Sequence, residues 1–414
     1  MQHVIFGSGP AGVAAAEALR KADAAAGITL VCGEGEPPYS RMAIPYLLKG
    51  DIDEAGTYLR KDAGHYARLR IGLVHGYARA VDAVARIVTL DRGGSIPYDR
   101  LLIATGSRPS REDIPGIDLP GVQACWTLRD ARAIVAGARP RTRIVQMGAG
   151  FVGCIIMEGL LSHGVELTIL VRSGYMVRRM MNPAASGLIR RWCESKGVTI
   201  LTRTQPTGLR RANGGLEVGL GDGRALPADM YLSAIGVDPN LDFLDGSGIE
   251  MRRGIVVDAH LESSAPGVFA AGDVAESPDC LSGKWQLNAI QPNAVEQGRV
   301  AALNMAGRPT AFKGSFVFNV LTTLGLASSS FGQWEGVAGG ESAEVLDEGR
   351  YRYLNLQFDG DRLAGANSVG FSEHVGALRG LIEGRRRLGK WKQRLMDDPS
   401  DIMRAYVATA SGIA

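Results

Sequence analysis

Three glycines stand at one spacing twice in this chain, in Gly7-Ser8-Gly9-Pro10-Ala11-Gly12 and in Gly148-Ala149-Gly150-Phe151-Val152-Gly153. G-x-G-x-x-G can hold a pyrophosphate. The first Gly permits a tight turn, the second lets the backbone approach the phosphates, and the third lets the following helix pack closely on its strand. The anion then meets free N–H groups and the positive end of a helix dipole. A chain with 55 glycines will show the spacing by chance, so context decides. Both copies follow an apolar strand, one at His3-Val4-Ile5-Phe6 and one beginning at Ile144, and both open an apolar or Ala-rich helix. Two nucleotide sites are expected, against the plainer reading that one copy is only a structural turn.

In such sites an acidic residue about 20 positions further on hydrogen-bonds the adenosine ribose. Glu34 fits that role for the first turn, just past the apolar run Ile28–Cys32. The competing reading is a solvated loop glutamate, because Gly33 stands where the carboxylate might be expected. After the second turn the place belongs to Val171 and Arg172, and no carboxylate is there. An arginine at that point can take a 2′-phosphate, and Arg178 is near enough in sequence to share it, which points to NADPH. The plainer alternative is that Arg172, Arg178 and Arg179 form an exposed basic loop and that NADH binds without the acid.

The elements that must position these residues repeat as a set. Each runs strand, glycine turn, helix, second strand (Ile28–Cys32, then Leu167–Val171), hairpin, and a last strand ending in Ala-x-Gly. Those ends are Ala104-Thr105-Gly106 and Ala234-Ile235-Gly236. Asp91-Arg92-Gly93-Gly94 and Asp222-Gly223 supply the hairpin turns. The repeat is a whole nucleotide-binding domain, too long for a solenoid unit. Breaks fall near Ser110–Pro120 and Asp245–Glu250. Beyond them the strand Gly254–Asp258 and Val268-Phe269-Ala270-Ala271-Gly272-Asp273 resume the first unit. From about Leu321 the pattern changes to strands, Tyr351–Phe358 with the turn Asp359-Gly360, followed by helix-like sequence. The expected fold is α/β, with two Rossmann-like nucleotide-binding domains, one inserted in the other, plus a C-terminal α+β domain. The boundaries are 1–112 and 249–320 for the first, 113–248 for the second and 321–414 for the third.

Composition narrows the classes. At about 150 residues per domain, 414 residues make two to three domains, and 45% of them are apolar. No apolar run reaches the roughly 18–20 residues that span a bilayer, so no membrane partner is expected. Lys and Arg number 46 against 43 Asp and Glu, a net +3, too little to argue for nucleic acid. Cys32, Cys125, Cys154, Cys193 and Cys280 are widely separated, with no C-x-x-C and no grouping with histidine that suits a metal. Zinc, an iron–sulfur cluster and a dithiol motif are therefore not expected. The strand at His3 leaves no room for a signal peptide, and a cytoplasmic address follows as an expectation.

Two further stretches complete a pattern: Tyr98-Asp99-Arg100-Leu101-Leu102-Ile103-Ala104-Thr105-Gly106-Ser107-Arg108-Pro109 and Gly267-Val268-Phe269-Ala270-Ala271-Gly272-Asp273. With the two turns, they make a sequence that resembles the FAD-dependent pyridine-nucleotide disulfide oxidoreductase superfamily across residues 4–300. The resemblance implies FAD at the first turn and a nicotinamide nucleotide, NADPH or NADH, at the second. It gives Asp273, beside Gly272, the ribityl or pyrophosphate portion of FAD. It also makes Pro292-Asn293-Ala294-Val295-Glu296-Gln297-Gly298 the helix whose N-terminus faces the flavin pyrimidine edge. Reduced flavin carries negative charge near N1 and O2, which a helix N-terminus favours, and Pro292 suits the first turn. Glu34, Arg41 and Ala104-Thr105-Gly106 are counted with the FAD site. Arg172, Arg178 and Gly236 are counted with the second site.

Departures from the family narrow the activity. Within Pro38-Tyr39-Ser40-Arg41-Met42-Ala43-Ile44-Pro45-Tyr46, peroxidase and coenzyme A-disulfide reductase relatives place a redox cysteine where this chain has Met42 or Arg41. Neither can form a thiolate or a mixed disulfide. The stretch is more similar to the flavin module of nitrite reductase large subunits and to the rubredoxin and ferredoxin reductase branch. Ferredoxin reductases usually carry Lys where Tyr46 stands, Trp where Gln291 stands and Glu where Ile155 stands. The reaction implied is hydride transfer from nicotinamide C4 to flavin N5, which needs orientation more than an acid or base. No protonating residue is named, and Met42, Tyr46 and Gln291 are candidate wall residues, read as packing in preference to chemistry. The acceptor implied is a small acidic carrier, ferredoxin or rubredoxin. The alternatives are an NAD(P)H oxidase and a non-catalytic nucleotide-sensing flavoprotein. Arg385-Arg386-Arg387-Leu388-Gly389-Lys390-Trp391-Lys392-Gln393-Arg394 reads as an amphipathic helix whose basic face either steers that carrier or is simply solvated. His374 reads as an ordinary surface histidine, and the third domain resembles those that mediate homodimers.

Overall fold

A computed structural model describes residues 1–212 and 214–411. They fold as two compact units. The first comprises residues 1–43, 52–108 and 237–316, and the second comprises 44–51, 109–236 and the chain from 317 onward.

The first unit is built on five parallel strands in the order Val268–Ala270, Arg100–Ile103, Gln2–Phe6, Gly27–Cys32, Ile71–His75. Val4, Ile5, Leu30 and Leu101 to Ile103 are completely or almost completely buried, as expected where both faces of a parallel sheet are covered. Burying each such side chain stabilises the fold by about 1.5–3 kcal/mol. Helix Pro10–Ala22 lies against helix Gln291–Met305. Gly298 makes that approach possible, because a Cβ there would collide with the Ala11 carbonyl. The hairpin expected before the last strand is a three-stranded antiparallel meander, Ala78–Asp82, Ile87–Leu90 and Ser95–Pro97.

The second unit repeats the plan. Its parallel strands run Thr199–Thr202, Glu166–Val171, Arg143–Met147, Met230–Ser233, Val122–Ala124. Its meander is Pro206–Ala212, Gly215–Leu220 and Ala225–Ala228. Ile44–Lys49 packs on Met157–Leu161, with Leu48 over Gly159 and Lys49 Nζ 3.0 Å from Glu158. The C-terminal part is a five-stranded antiparallel sheet ordered Phe318–Thr323, Leu326–Gly332, Arg362–Val369, Arg352–Asp359, Glu341–Asp347. Helices Val375–Glu383, Lys390–Asp397 and Ile402–Ala410 follow. The fold is thus α/β with two Rossmann-like domains, the second inserted in the first, and a C-terminal α+β domain.

One expectation needs correction. The basic helix starts only at Lys390, because Gly389 has φ +56° and breaks the run before it. Leu388, Trp391 and Leu395 do point inward. Lys392 pairs with Glu341, and the Arg394 guanidinium lies over the Trp391 ring, so part of the positive face is already engaged. His374 stacks on Phe371, ring centroids 5.8 Å apart.

Candidate functional site: two glycine cradles

Sheet order places each glycine turn. In the first unit the neighbours of Gln2–Phe6 lie on opposite sides, with Gly27–Cys32 on one and Arg100–Ile103 on the other. The crevice beyond the carboxyl ends of Gln2–Phe6 and Arg100–Ile103 is therefore a topological switch point, where open α/β sheets bind ligands. Gly7 to Gly12 follow one strand and Ala104 to Gly106 the other. The second unit does the same with Arg143–Met147 and Met230–Ser233, followed by Gly148 to Gly153 and Ala234 to Gly236.

The turns themselves are alike. Gly7 and Gly148 both have φ +103°, which side-chain-bearing residues rarely adopt. A Cβ on Gly7 would collide with the Ala104 carbonyl, and one on Gly148 with that of Ala234. Gly12 and Gly153 are closed in by the carbonyls of Gly7 and Gly148. Gly9 and Gly150 face open space, with nothing within 4 Å of where a Cβ would stand. Each is the N-cap of its helix, offers no side chain to the first-turn N–H groups, and is followed by no first-turn acid. By contrast, Thr127 and Asp130 cap helix Leu128–Gly137, and Asn182 caps Pro183–Ser195. Uncapped N–H groups beside open space suit the pyrophosphate of FAD or of a nicotinamide nucleotide.

Around the first turn the structure gathers the residues singled out from sequence. Gly272, at φ +80°, would place a Cβ 3.4 Å from that of Ala11 and 3.6 Å from that of Ala294, so the Gly272-Asp273 turn and the start of helix Gln291–Met305 converge on Pro10 and Ala11. Buried Gln297 accepts the Gly272 N–H at 2.7 Å and donates to Ser277 Oγ at 3.0 Å. Asn293 donates to the Phe316 carbonyl at 3.2 Å, and Val295 lies two residues further along the same helix. Ser107 Oγ donates to Asp273 Oδ2 at 2.6 Å. Burial pushes the Asp273 carboxyl up, against the opposing Ser107 hydrogen bond and Arg41 charge. Glu34 is no solvated loop acid: Arg41 Nη2 donates to its Oε1 and the Tyr39 hydroxyl to its Oε2, both at 2.7 Å. Ser40 Oγ donates to Gln291 Oε1 at 2.9 Å. Met42 and Tyr46, expected as wall residues, are 43% and 55% exposed. Ile44 and Leu48 take the buried positions of that short helix.

Two residues of the first cradle were missed. Asn240 donates to the Thr105 carbonyl at 2.9 Å and accepts the Thr105 hydroxyl at 3.1 Å on its own carbonyl, bracing the Ala104-Thr105-Gly106 turn. The Pro239-Asn240 pair just after the second Ala-x-Gly turn was its only sequence signal. Tyr77, 55% exposed, lies so close over Gly33 that a Cβ there would be 2.6 Å from its ring. It puts an aromatic face beside the Glu34 loop.

In the second cradle Arg172, Arg178 and Arg179 are exposed and make no ion pair among the described residues. Phe151 and Val152 open a helix that runs only to Ile155, and Met157–Leu161 continues after a turn at Ile156. The missed residue here is Arg203. Val171 is in register with Thr202, so Arg172 and Arg203 leave adjacent parallel strands side by side at the carboxyl edge. Arg203 Nε stands 3.8 Å from where a Gly174 Cβ would be, in the loop that follows Arg172.

Among the described residues no group of three His, Cys, Asp or Glu side chains could hold a metal, and no helix is long and apolar enough to cross a membrane.

Residues 1–298 match the family model described as pyridine nucleotide-disulphide oxidoreductase. The chain is 32% identical over 411 residues to the NADH-dependent phenylglyoxylate dehydrogenase subunit epsilon of Aromatoleum evansii, covering 98% of this chain and 97% of that one. It is 32% identical over 396 residues to the ferredoxin–NAD(+) reductase component of the anthranilate 1,2-dioxygenase system of Burkholderia cepacia, covering 92% and 93%. The fold matches the covalent putidaredoxin reductase–putidaredoxin complex with a TM-score of 0.91 at 24% identity over 99% of both chains.

Proposed function

The chain belongs to the pyridine nucleotide-disulphide oxidoreductase family, and from that premise we propose that it exchanges a hydride with a nicotinamide nucleotide held at the second turn and single electrons with a small protein carrier, through FAD held at the first. It is an FAD-dependent NAD(P)H oxidoreductase. Bound flavin supplies the conversion between two-electron and one-electron chemistry. The protein's part is binding and orientation. Backbone N–H groups at Gly9 and Gly150 take the phosphates, Asp273 and Ser107 take a flavin-side hydroxyl, and the N-terminus of helix Gln291–Met305 faces developing negative charge.

One observation carries the choice of an external acceptor: no cysteine stands at the redox position of the disulfide-reducing relatives, and four of the five cysteines are buried. Arg41 and Met42 occupy the place, and Arg41 is engaged by Glu34 and Tyr39. Cys32, Cys125, Cys154 and Cys193 are buried. Burial raises all four thiols, those of Cys125 and Cys193 to about 12. Electrons therefore leave without an enzyme disulfide. Relatives named as ferredoxin reductase and as the subunit of a larger dehydrogenase support an iron–sulfur carrier, either free or within an assembly. Arg385 and Arg387 leave positive charge for an acidic surface such as that of ferredoxin or rubredoxin. A homodimer through the C-terminal domain belongs to the same reading.

Arg172 and Arg203 support NADPH as the preferred nucleotide. The test is anaerobic mixing of the FAD-loaded protein with NADPH or NADH, followed by a panel of carriers. Bleaching of the visible flavin band, with colour restored by ferredoxin or rubredoxin, is expected. No bleaching within minutes by either nucleotide would overturn the reading. Colour restored quickly by oxygen and not by carriers would make the chain an oxidase.

A further inference from the structure

The loop that carries Arg178 and Arg179 is pinned at both ends, and one pin comes from the C-terminal sheet. At the near end the Val177 N–H donates to the Ala149 carbonyl, inside the glycine turn, at 2.7 Å. Ser186 Oγ holds the Met176 carbonyl at 2.9 Å. Val177 is buried, β-branched and at φ +44°, a conformation that persists only where the surroundings over-determine it. Met180 and Met181 return N–H groups to the Val177 carbonyl at 2.8 and 3.0 Å and are themselves buried. At the far end Asn367, wholly buried in strand Arg362–Val369, makes two bonds with the loop's backbone: its Nδ2 donates to the Met180 carbonyl and its Oδ1 accepts the Asn182 N–H, each at 2.9 Å. Asn182 Nδ2 donates to the Tyr353 hydroxyl at 2.7 Å, and that hydroxyl donates to Glu344. Asn182 Oδ1 meanwhile caps helix Pro183–Ser195.

Two guanidiniums with no ion-pair partner among the described residues thus sit at the tip of a strained loop fixed to the glycine turn on one side and to Asn367 on the other. We propose that Asn367 of the C-terminal domain is a positioning residue for the nicotinamide nucleotide site, holding the loop so that Arg178 and Arg179 meet the phosphate groups of the nucleotide. This rests on reading the second turn as that site. A side-chain amide bonded to both backbone groups of a loop fixes it as a strand partner would, and side chains held in place lose less entropy when they bind.

The test is equilibrium titration of NADPH and NADH into the FAD-loaded protein, with anaerobic rapid mixing to read the limiting rate of flavin reduction. The variants are Asn367→Leu, Tyr353→Phe, the pair Arg178→Ser with Arg179→Ser, and their combinations. Asn367→Leu should raise the nucleotide Kd about tenfold, the equivalent of one to two hydrogen bonds, and Tyr353→Phe should raise it less. Flavin content and limiting rate should stay as in the unmodified protein. Both effects should vanish once Arg178 and Arg179 are replaced, because the loop then has nothing to position. An unchanged Kd, or a penalty that persists in full without the two arginines, would reduce Asn367 to a packing role. Should Asn367→Leu fail to fold, Tyr353→Phe settles the matter by the same cycle. An unmodified protein that binds neither nucleotide overturns the proposed function and this inference with it. One that binds nucleotide normally but ignores the clamp variants overturns the inference alone.

Discussion

The two glycine cradles share a backbone and differ in almost every side chain around it. Gly7 and Gly148 have the same φ, and their N–H groups meet the carbonyls of Val31 and Leu170 at 3.0 and 2.9 Å. The Ala104 and Ala234 N–H groups meet the carbonyls of Phe6 and Met147 at 2.7 and 2.8 Å. Beneath the turns the likeness ends. Ile5 packs under Gly12 in the first cradle, whereas buried Gln146 donates to the carbonyls of Gly148 and Gly153 in the second. At the edge of the second strand the first cradle holds a closed Glu34, Arg41 and Tyr39 cluster, and the second an open pair of arginines. On the proposed reading, glycine sterics set how a pyrophosphate is approached and the strand-edge residues which nucleotide is accepted.

The comparison breaks most sharply at the first glycine of each turn. Gly7→Ala and Gly148→Ala each force a Cβ onto backbone at positive φ, costing about 1–3 kcal/mol in strain and so up to about 150-fold in ligand affinity. Gly7→Ala should leave the purified protein largely colourless while NADPH still binds. Gly148→Ala should keep the flavin and lose its rapid reduction. Flavin content per chain and nucleotide titration read both, and loss of flavin in Gly148→Ala would show that the cradles are not independent. An effect of similar size separates the strand edges. Arg172→Glu should weaken NADPH against NADH by about 10- to 100-fold, the range of lost charge-assisted hydrogen bonds. Arg203→Ser should do the same by about tenfold. Equal losses for both nucleotides would remove the 2′-phosphate argument.

Legibility followed sequence distance. The turns, their strands and the Ala-x-Gly ends were readable because each is local: glycine spacing after an apolar run needs no tertiary context. The insertion of one domain in the other was readable because the first pattern resumes at Val268 to Asp273. Arg203 was invisible because only the register of Thr199–Thr202 against Glu166–Val171 brings it beside Arg172. Asn367 meets Met180 and Asn182 across most of the second unit's sequence, and a buried asparagine in a strand carries no signal of its partner. Gly389 was read as part of a helical run because amphipathic spacing on either side outweighed one glycine. Its positive φ shows that backbone freedom, and not the apolar stripe, set the boundary.

A weaker contrast is electrostatic. The first cradle buries a carboxylate at Asp273, and the second has no acid at its strand edge. Burial raises the Asp273 carboxyl in the folded protein above its unfolded value. A carboxyl raised in this way contributes stability that is fully present below the unfolded value and is lost as pH rises through the folded one. In FAD-free protein, Asp273→Asn should therefore melt higher than the unmodified chain near neutral pH, and the gap should shrink as pH falls into the carboxylate range. A gap that widens toward low pH would mean that hydrogen bonding to Ser107 and the Arg41 charge outweigh desolvation.

The smallest expected effect tests what the two cradles have in common, a buried cysteine close by. Cys32 ends the second strand of the first cradle, and Cys154 follows the last glycine of the second. Both are buried, and burial pushes both thiols up. Since the thiolate is the nucleophile, a thiol pushed up by burial presents still less of it near neutral pH than a free one. Brief treatment with iodoacetamide at neutral pH should leave flavin reduction and carrier reoxidation unchanged, whether or not the flavin was first reduced by NADPH. A disulfide reductase treated in its reduced form would lose activity, because reduction frees its nucleophilic thiol. Inactivation that required prior NADPH would therefore place a reducible sulfur on the electron path and remove the reason for seeking the acceptor outside the chain. Mass analysis of the alkylated protein would name the residue, with partly buried Cys280 the first to label if the effect is only one of access.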